Sequence, residues 1–176
     1  MLELIGLDVG YTKPILCEID LRVRRSHCAV FYGPNGIGKT TLLKTIATFL
    51  RPLKGEVLLD GYSVEKKRDR IFFLPETIDL PERIKALEYV RAVGSLYGNP
   101  DKLPARKALE TVGLTEHDIL IKNLSQGMKR KVQLAATLVV DADLYLLDDP
   151  VVAVADEEKE YLLGEVVRIL RERGAV

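Results

Sequence analysis

The sequence has little of what marks a secreted, membrane-spanning or nucleic-acid-binding protein. It has only two cysteines in 176 residues, too few for a disulfide framework, and we expect Cys17 and Cys28 to be reduced thiols in the core. It has no excess of basic charge, because 26 Lys and Arg balance 26 Asp and Glu, so the strongly basic surface of a dedicated nucleic-acid binder is excluded. Its longest apolar runs, such as Leu134 to Val140, fall well short of the roughly 20 residues that a membrane span needs, and no basic-then-apolar leader follows Met1. We therefore expect a globular protein of the cytosol that reaches a membrane only through a partner.

Hydrophobic residues make up 47% of the chain, enough for a substantial core, and their spacing changes along the sequence. Apolar residues at every odd position predict a half-buried strand over Ile15 to Val23. The other predicted strands are Cys28 to Tyr32, Val57 to Leu59 and Tyr62 to Val64 on either side of an Asp60-Gly61 turn, Ile71 to Leu74, and Leu144 to Leu147. Predicted helices run from Lys39 to about Pro52, from Pro81 to Leu96, to Val112 with Gly113 as the stop, from the N-cap Ser125, and to Gly174.

A glycine-rich loop lies between the second predicted strand and the first helix. The run Gly33-Pro34-Asn35-Gly36-Ile37-Gly38-Lys39-Thr40 fits G-x-x-x-x-G-K-[ST], and strand-loop-helix is the context that confirms this motif. Its glycines let successive backbone N–H groups converge on phosphate oxygens at the positive end of the helix dipole. We expect Lys39 to bridge the β- and γ-phosphates and Thr40 to coordinate Mg²⁺ through its hydroxyl.

Two adjacent carboxylates follow the apolar strand at Leu144 to Leu147. Asp148 emerges at the carboxyl end of that strand, where open α/β sheets bind ligands, and we expect it to supply the carboxylate of the Mg²⁺ site. Asp149 is a candidate general base for the attacking water, and a turn carboxylate ahead of Pro150 is the alternative interpretation.

The helix predicted to begin at Ser125 has polar groups and a glycine at its start. The segment Leu124-Ser125-Gln126-Gly127-Met128 suits an anion, although a plain N-cap at Ser125 explains it as well. The basic run after it, Lys129, Arg130 and Lys131, is predicted to be a solvated face. His27 and His117 are interpreted as a strand-end and a loop histidine.

Together these motifs resemble the nucleotide-binding subunit of ATP-binding-cassette (ABC) transporters, over nearly the whole chain. The run Leu96-Tyr97-Gly98 and the form GMKRK are similar to small exporter ATPases of bacteria and archaea. The resemblance implies an α/β fold: a P-loop NTPase core with a mainly parallel sheet flanked by helices over 1–78 and 141–176, an N-terminal antiparallel β portion, and a helical insertion over 79–140, within one domain of residues 1–176. It also implies ATP and Mg²⁺ as cofactors, and a peripheral position on the inner face of the cell membrane beside an integral membrane permease.

The resemblance assigns roles residue by residue. It implies a dimer, of identical or different ATPase subunits, in which the segment Leu124, Ser125, Gln126, Gly127 and Met128 of one subunit closes over the ATP of the other. It implies that Tyr11 stacks on adenine, that Glu76 contacts metal and water together with the metal ligands Thr40 and Asp148, and that the remaining nucleotide contacts come from Gly33, Pro34, Asn35, Gly36, Ile37, Gly38, Lys39, Thr40 and Thr41.

The sequence departs from the family pattern in three places. Asp149 stands where the family usually has Glu, Ala153-Val154-Ala155 replaces Gly-Leu-Asp, and the chain ends at Val176, about where a strand carrying a γ-phosphate histidine should begin. Because a displacement of about 1 Å can cost on the order of 10²-fold in rate, we expect slow hydrolysis. We also expect the native chain to continue beyond Val176. A weakly catalytic ATP-binding switch subunit and a soluble, non-transport ABC protein remain alternatives.

Overall fold

The computed structural model describes residues 1–97 and 103–175, which fall into two compact units. The first unit comprises the described residues of Met1–Phe73, Asp143–Asp148 and Arg171–Val176. The second comprises those of Leu74–Ala142 and Asp149–Leu170. Gly98, part of the run similar to small exporter ATPases, lies outside the described residues.

The first unit begins with an antiparallel sheet. Strands β1 (Leu2–Gly10), β2 (Pro14–Val23), β3 (Lys54–Leu59) and β4 (Tyr62–Ser63) lie in the order β2-β1-β3-β4. The turn between β3 and β4 has positive φ at both central residues, 51° at Asp60 and 78° at Gly61, as the Asp-Gly pair predicts. The predicted N-terminal antiparallel portion is confirmed.

The rest of the first unit packs on this sheet. Helix α1 (Lys39–Ile46) follows the glycine loop, a 3₁₀ segment occupies Val64–Arg70, and strands β5 (Ile71–Leu74) and β6 (Leu144–Leu147) form a separate two-stranded parallel sheet. The core of the unit is aliphatic, with Leu42, Leu43 and Ile46 of α1 buried beside Leu7, Val9, Val57, Leu59 and Leu144. The α/β class predicted for the chain is therefore confirmed.

The second unit is helical. It contains α2 (Ala86–Leu96), α3 (Ala105–Thr111), a 3₁₀ turn at Ile121–Asn123, α4 (Gln126–Val139) and all but the last two residues of α5 (Asp156–Glu172). Gly94 lets α2 approach α4 closely, because a Cβ there would lie 3.2 Å from Val139 Cγ2. Among the described residues, no helix combines the length and the apolar character needed to cross a membrane.

The prediction that the cysteines lie in the core is wrong, since Cys17 and Cys28 are both exposed. In the register of β1 with β2, Leu7 faces Ile19 and Val9 faces Leu16, so β2 carries one extra residue. Glu18 has a φ of 54° at this bulge. The bulge inverts the alternation of side chains, which places Leu16 on the inner face and turns Cys17 outward.

Two predicted elements also differ from the structure. Residues 28–32 form no strand, because no ladder pairs them within the described chain, and Tyr32 is 99% exposed. Helix α2 begins at Ala86, five residues after Pro81, because the backbone before it pairs elsewhere. There, Ile121 N–H donates to Ile84 O and Lys122 N–H to Glu82 O. Lys85 is the N-cap residue, and its backbone N–H donates to Glu88 Oε2 at 3.0 Å.

Candidate functional site

The glycine loop leads directly into helix α1, which begins without a capping side chain. Gly38, with φ 109°, is the N-cap of α1, and no side chain caps the first turn. A Cβ on Gly38 would lie 2.8 Å from the Ile15 side chain, so only glycine fits between the loop and the start of β2. Gly36 is also left-handed, with φ 81°. The first-turn N–H groups of α1 therefore remain available to an anion.

Lys39 lies inside the loop that precedes it. Its Nζ donates to Gly33 O at 2.7 Å and to Pro34 O at 3.0 Å. These two carbonyls hold the ammonium group beside the uncapped N–H groups. A cation and converging donors are thus concentrated where the motif predicts phosphate.

Thr40 and Asp148, 108 residues apart in sequence, meet in the first unit. Thr40 Oγ1 donates to Asp148 Oδ1 at 3.1 Å, and Asp148 is only 7% exposed. One hydroxyl and one carboxylate fit Mg²⁺, which uses one or two protein oxygens and completes its shell with water and phosphate. The described residues contain no group of three or more His, Cys, Asp and Glu side chains able to hold a metal by themselves.

Tyr11 lies in the turn between β1 and β2 and is 63% exposed. The turn is tight, since a Cβ on Gly10 would lie 2.0 Å from Lys13 O. Ile15, four residues after Tyr11, contacts Gly38 as described above. The ring is therefore accessible, in a turn close in sequence to the residue that packs on the loop.

Glu76, Asp149 and the segment 124–128 belong to the second unit, whereas Asn35, Ile37 and Thr41 lie with the glycine loop and α1 in the first. Asp149 is exposed and adopts a left-handed φ of 42°, and Glu76 is exposed after β5. Ser125 is the N-cap of α4 and accepts from Met128 N–H at 3.2 Å, so the N-cap interpretation holds. Gly127 lies against the turn that follows Asp149, because a Cβ there would be 2.8 Å from Ala153 O.

The predicted solvated face of α4 is wrong at its centre. Arg130 is 0% exposed, and Lys131 is largely covered and pairs with Glu158 at 2.9 Å. A helical pattern was available to reveal this, because Gln133, Leu134 and Thr137 continue the buried face of Arg130 at spacings of three, four and seven. The three consecutive basic residues suggested a solvent-exposed face instead.

The two histidines lie away from these groups in sequence. His117 lies in a loop, as predicted, whereas the interpretation of His27 as a strand-end histidine is wrong, because β2 ends at Val23 and residues 28–32 form no strand. The His117 ring is nonetheless buried, and Arg106 Nη1 lies 3.0 Å from its Nδ1.

Three features together define a P-loop nucleotide-binding protein. A glycine loop leads into a helix that no side chain caps, and Lys39 donates to a carbonyl of that loop. Thr40 contacts Asp148 at the end of β6. The ABC transporter family model matches residues 16–152. The chain therefore belongs to the ABC transporter family, as one of its nucleotide-binding subunits.

Individual relatives agree with this assignment. The zinc transport system ATP-binding protein TroB of Treponema pallidum is 36% identical over 92% of this chain and 64% of its own length. The cytochrome c biogenesis ATP-binding export protein CcmA of Pseudomonas aeruginosa is 33% identical over 100% of this chain and 90% of its own. A solved ABC transporter ATP-binding protein from Pyrococcus furiosus is 47% identical, with a TM-score of 0.95 over 99% of this chain and 88% of that one.

Proposed function

We propose that this chain binds and hydrolyses ATP to drive an ABC transporter. The observation that carries the proposal is the phosphate site of the first unit. There, Lys39 lies within the loop, α1 begins without a capping side chain, and Thr40 contacts Asp148. Such a site recognises a triphosphate through backbone donors and one ammonium group. Tyr11 supplies an accessible ring for the adenine.

Magnesium fits the same site. Thr40 and Asp148 would hold the ion, which neutralises charge on the β- and γ-phosphates when it is bound. Glu76 is proposed as a further contact to the ion and to the attacking water. The N–H groups of the loop and the ammonium group of Lys39 orient the phosphates.

Asp149 is proposed as the residue that polarises the attacking water. Its carboxylate is exposed and can accept a proton from water in a bound complex. It is one methylene shorter than the Glu usual in the family, so the carboxylate stops short of the usual position. We therefore propose slow hydrolysis, down by about 10²-fold if the misplacement is near 1 Å.

Two partners complete the proposal. A second ATPase subunit would place its Ser125 and Gly127 over the ATP bound here, and this chain would do the same in return. An integral membrane permease would receive the motion and hold the transported substrate. The chain would then be peripheral on the inner face of the cell membrane.

A switch subunit that binds ATP and barely hydrolyses it is the second candidate. Asp149 and the Ala153-Val154-Ala155 stretch favour it, because both lie where the family carries its usual catalytic and communicating residues. Ordinary turnover by the unaltered chain would eliminate this candidate. A soluble, non-transport ABC protein is the third candidate, and it would be recovered without a membrane partner.

The nucleotide site is tested by calorimetric titration of Mg-ATP into the purified chain, followed by phosphate release. Lys39→Ala should weaken ATP binding by about 10- to 100-fold, the value of a hydrogen bond from a charged group. Lys44→Ala is the matched control, since Lys44 lies on the same helix outside the loop. Equal affinities of Lys39→Ala and the unaltered chain would contradict the proposal.

The transport role is tested by mild detergent extraction of native membranes and mass spectrometry of the proteins that accompany this chain. A multi-span membrane protein in near-stoichiometric amount would support it. Recovery only in the soluble fraction, with ribosomes, DNA or nothing, would overturn transport and leave the ATP site standing.

A further inference from the structure

Arg130 is a fully buried guanidinium on α4, the helix that Ser125 caps. It is 0% exposed and belongs wholly to the second unit. Burying a cation is costly unless its N–H groups find acceptors, and here they find backbone carbonyls on two separate segments. One segment carries Asp149 and the other carries Glu76.

The first segment is the turn that begins at Asp149. Arg130 Nη2 donates to Asp149 O at 2.6 Å, and its Nε donates to Pro150 O at 2.9 Å. The turn has positive φ at two residues with side chains, 42° at Asp149 and 62° at Ala153. Such backbone is strained and persists where neighbouring groups hold it. The guanidinium supplies that restraint at the residue proposed to polarise water.

The second segment flanks Glu76. Arg130 Nη1 donates to Pro75 O at 2.7 Å, and the same nitrogen donates to Gln133 Oε1 at 2.9 Å. Gln133 in turn donates through Nε2 to Thr77 O at 3.2 Å. The carbonyls immediately before and after Glu76 are therefore both bound from one face of α4.

We propose that Arg130 is a positioning residue for ATP hydrolysis, which fixes the backbone of Asp149 and of Glu76 relative to each other. The inference rests on the proposed function, since it gives those carboxylates their roles. A planar guanidinium can do this because its five N–H groups point in fixed directions. A lysine ammonium presents its donors from one point and cannot serve Asp149 O, Pro150 O and Pro75 O together.

The test compares Arg130→Met and Arg130→Lys with Lys131→Met, a control one position along the same helix that removes the same charge. Steady-state phosphate release gives kcat and KM, and titration gives the Kd for Mg-ATP. We expect kcat to fall about 100-fold in Arg130→Met and about 10-fold in Arg130→Lys, in line with the cost of small misplacements. The Kd should stay within about twofold, because the groups that bind the triphosphate and two of the three proposed metal contacts, Thr40 and Asp148, lie in segments that Arg130 does not hold. Lys131→Met should match the unaltered chain.

Hydrogen exchange provides a readout that does not depend on activity. Within the turn, Val152 N–H donates to Asp149 O at 3.2 Å and Val154 N–H donates to Val151 O at 3.2 Å. In Arg130→Lys these two amides should exchange faster while those of α2 keep their rates. The lysine variant keeps the test usable if Arg130→Met does not fold.

The outcomes separate the two proposals. Unchanged kcat and unchanged exchange in Arg130→Lys would overturn the positioning role, and so would a fall in kcat accompanied by an equal loss of ATP affinity. If the unaltered chain hydrolyses no ATP, the proposed function fails. Faster exchange confined to the turn and to the amides of Glu76 and Thr77 would then still support the role of Arg130 in holding the two segments, and unchanged exchange would refute it.

Discussion

Lengthening Asp149 to Glu should accelerate hydrolysis and destabilise the fold. The added methylene moves the carboxylate to the position usual in the family, and an improvement of about 1 Å corresponds to a gain of up to about 10²-fold in kcat. The backbone opposes the change. Asp149 has a φ of 42°, and Asp tolerates left-handed backbone better than Glu does.

The stability cost follows from that conformation. An Asp-to-Glu change in the left-handed region should cost about 0.5 to 1 kcal/mol, a fraction of the 1 to 3 kcal/mol typical of strained backbone. For a domain of this size, a loss of 1 kcal/mol lowers Tm by about 2 to 4 °C. Rate and stability should therefore move in opposite directions.

Phosphate release at saturating Mg-ATP and thermal unfolding measure the two effects. Asp149→Asn is the matched control, because it keeps the length and the tolerance for positive φ and removes the general base. It should lower kcat with little change in Tm. A kcat in Asp149→Glu equal to that of the unaltered chain would refute the reasoning from carboxylate reach.

Three further predictions concern other parts of the molecule. The hydrogen bond from Arg70 lowers the pKa of Asp143 in the folded protein. The stability that this carboxylate contributes is therefore complete above its unfolded-state pKa and is lost as pH falls through its folded-state pKa. Asp143→Asn should cost about 1 kcal/mol at pH 7 and reduce the loss of Tm on acidification below about pH 4. Gly127→Ala places a Cβ 2.8 Å from Ala153 O, so phosphate release should slow while titrated ATP affinity is kept. Removing Mg²⁺ with a chelator should abolish phosphate release, and restored Mg²⁺ should recover it.

Much of the fold could be predicted because its signals are local. The Asp60-Gly61 turn, the Ser125 cap and the glycine stops at Gly113 and Gly174 depend on short-range conformational preferences, and all four appear in the structure. The left-handed conformation of Gly36 and Gly38 in the glycine loop was predictable for the same reason. The loop's geometry is encoded by the glycines and by the helix that follows.

The wrong predictions concern residues whose burial or pairing depends on partners distant in sequence. A bulge against β1 turned Cys17 outward, and the unpaired segment 28–32 shows that β-forming residues make no strand without a ladder. Arg130 was assigned to the surface by its charge, whereas its acceptors come from residues 55 and 20 positions away. The helical spacing of α4 could have revealed that Arg130 is buried, but no local pattern identifies the acceptors of its N–H groups.

The burial of Arg130 makes it possible to test whether this residue serves stability or the positions of the carbonyl groups that it binds. A well-packed apolar residue often replaces a buried charge without loss of stability, whereas removing the donors alone leaves carbonyls unsatisfied at about 1 to 3 kcal/mol each. A fold that needed only stability could fill this position of α4 with leucine and shift the turn slightly. A guanidinium is required if Asp149 O and Pro75 O must both stay in place. Stability regained by compensating core substitutions in Arg130→Met, without recovery of kcat, would show that the arginine is retained for geometry.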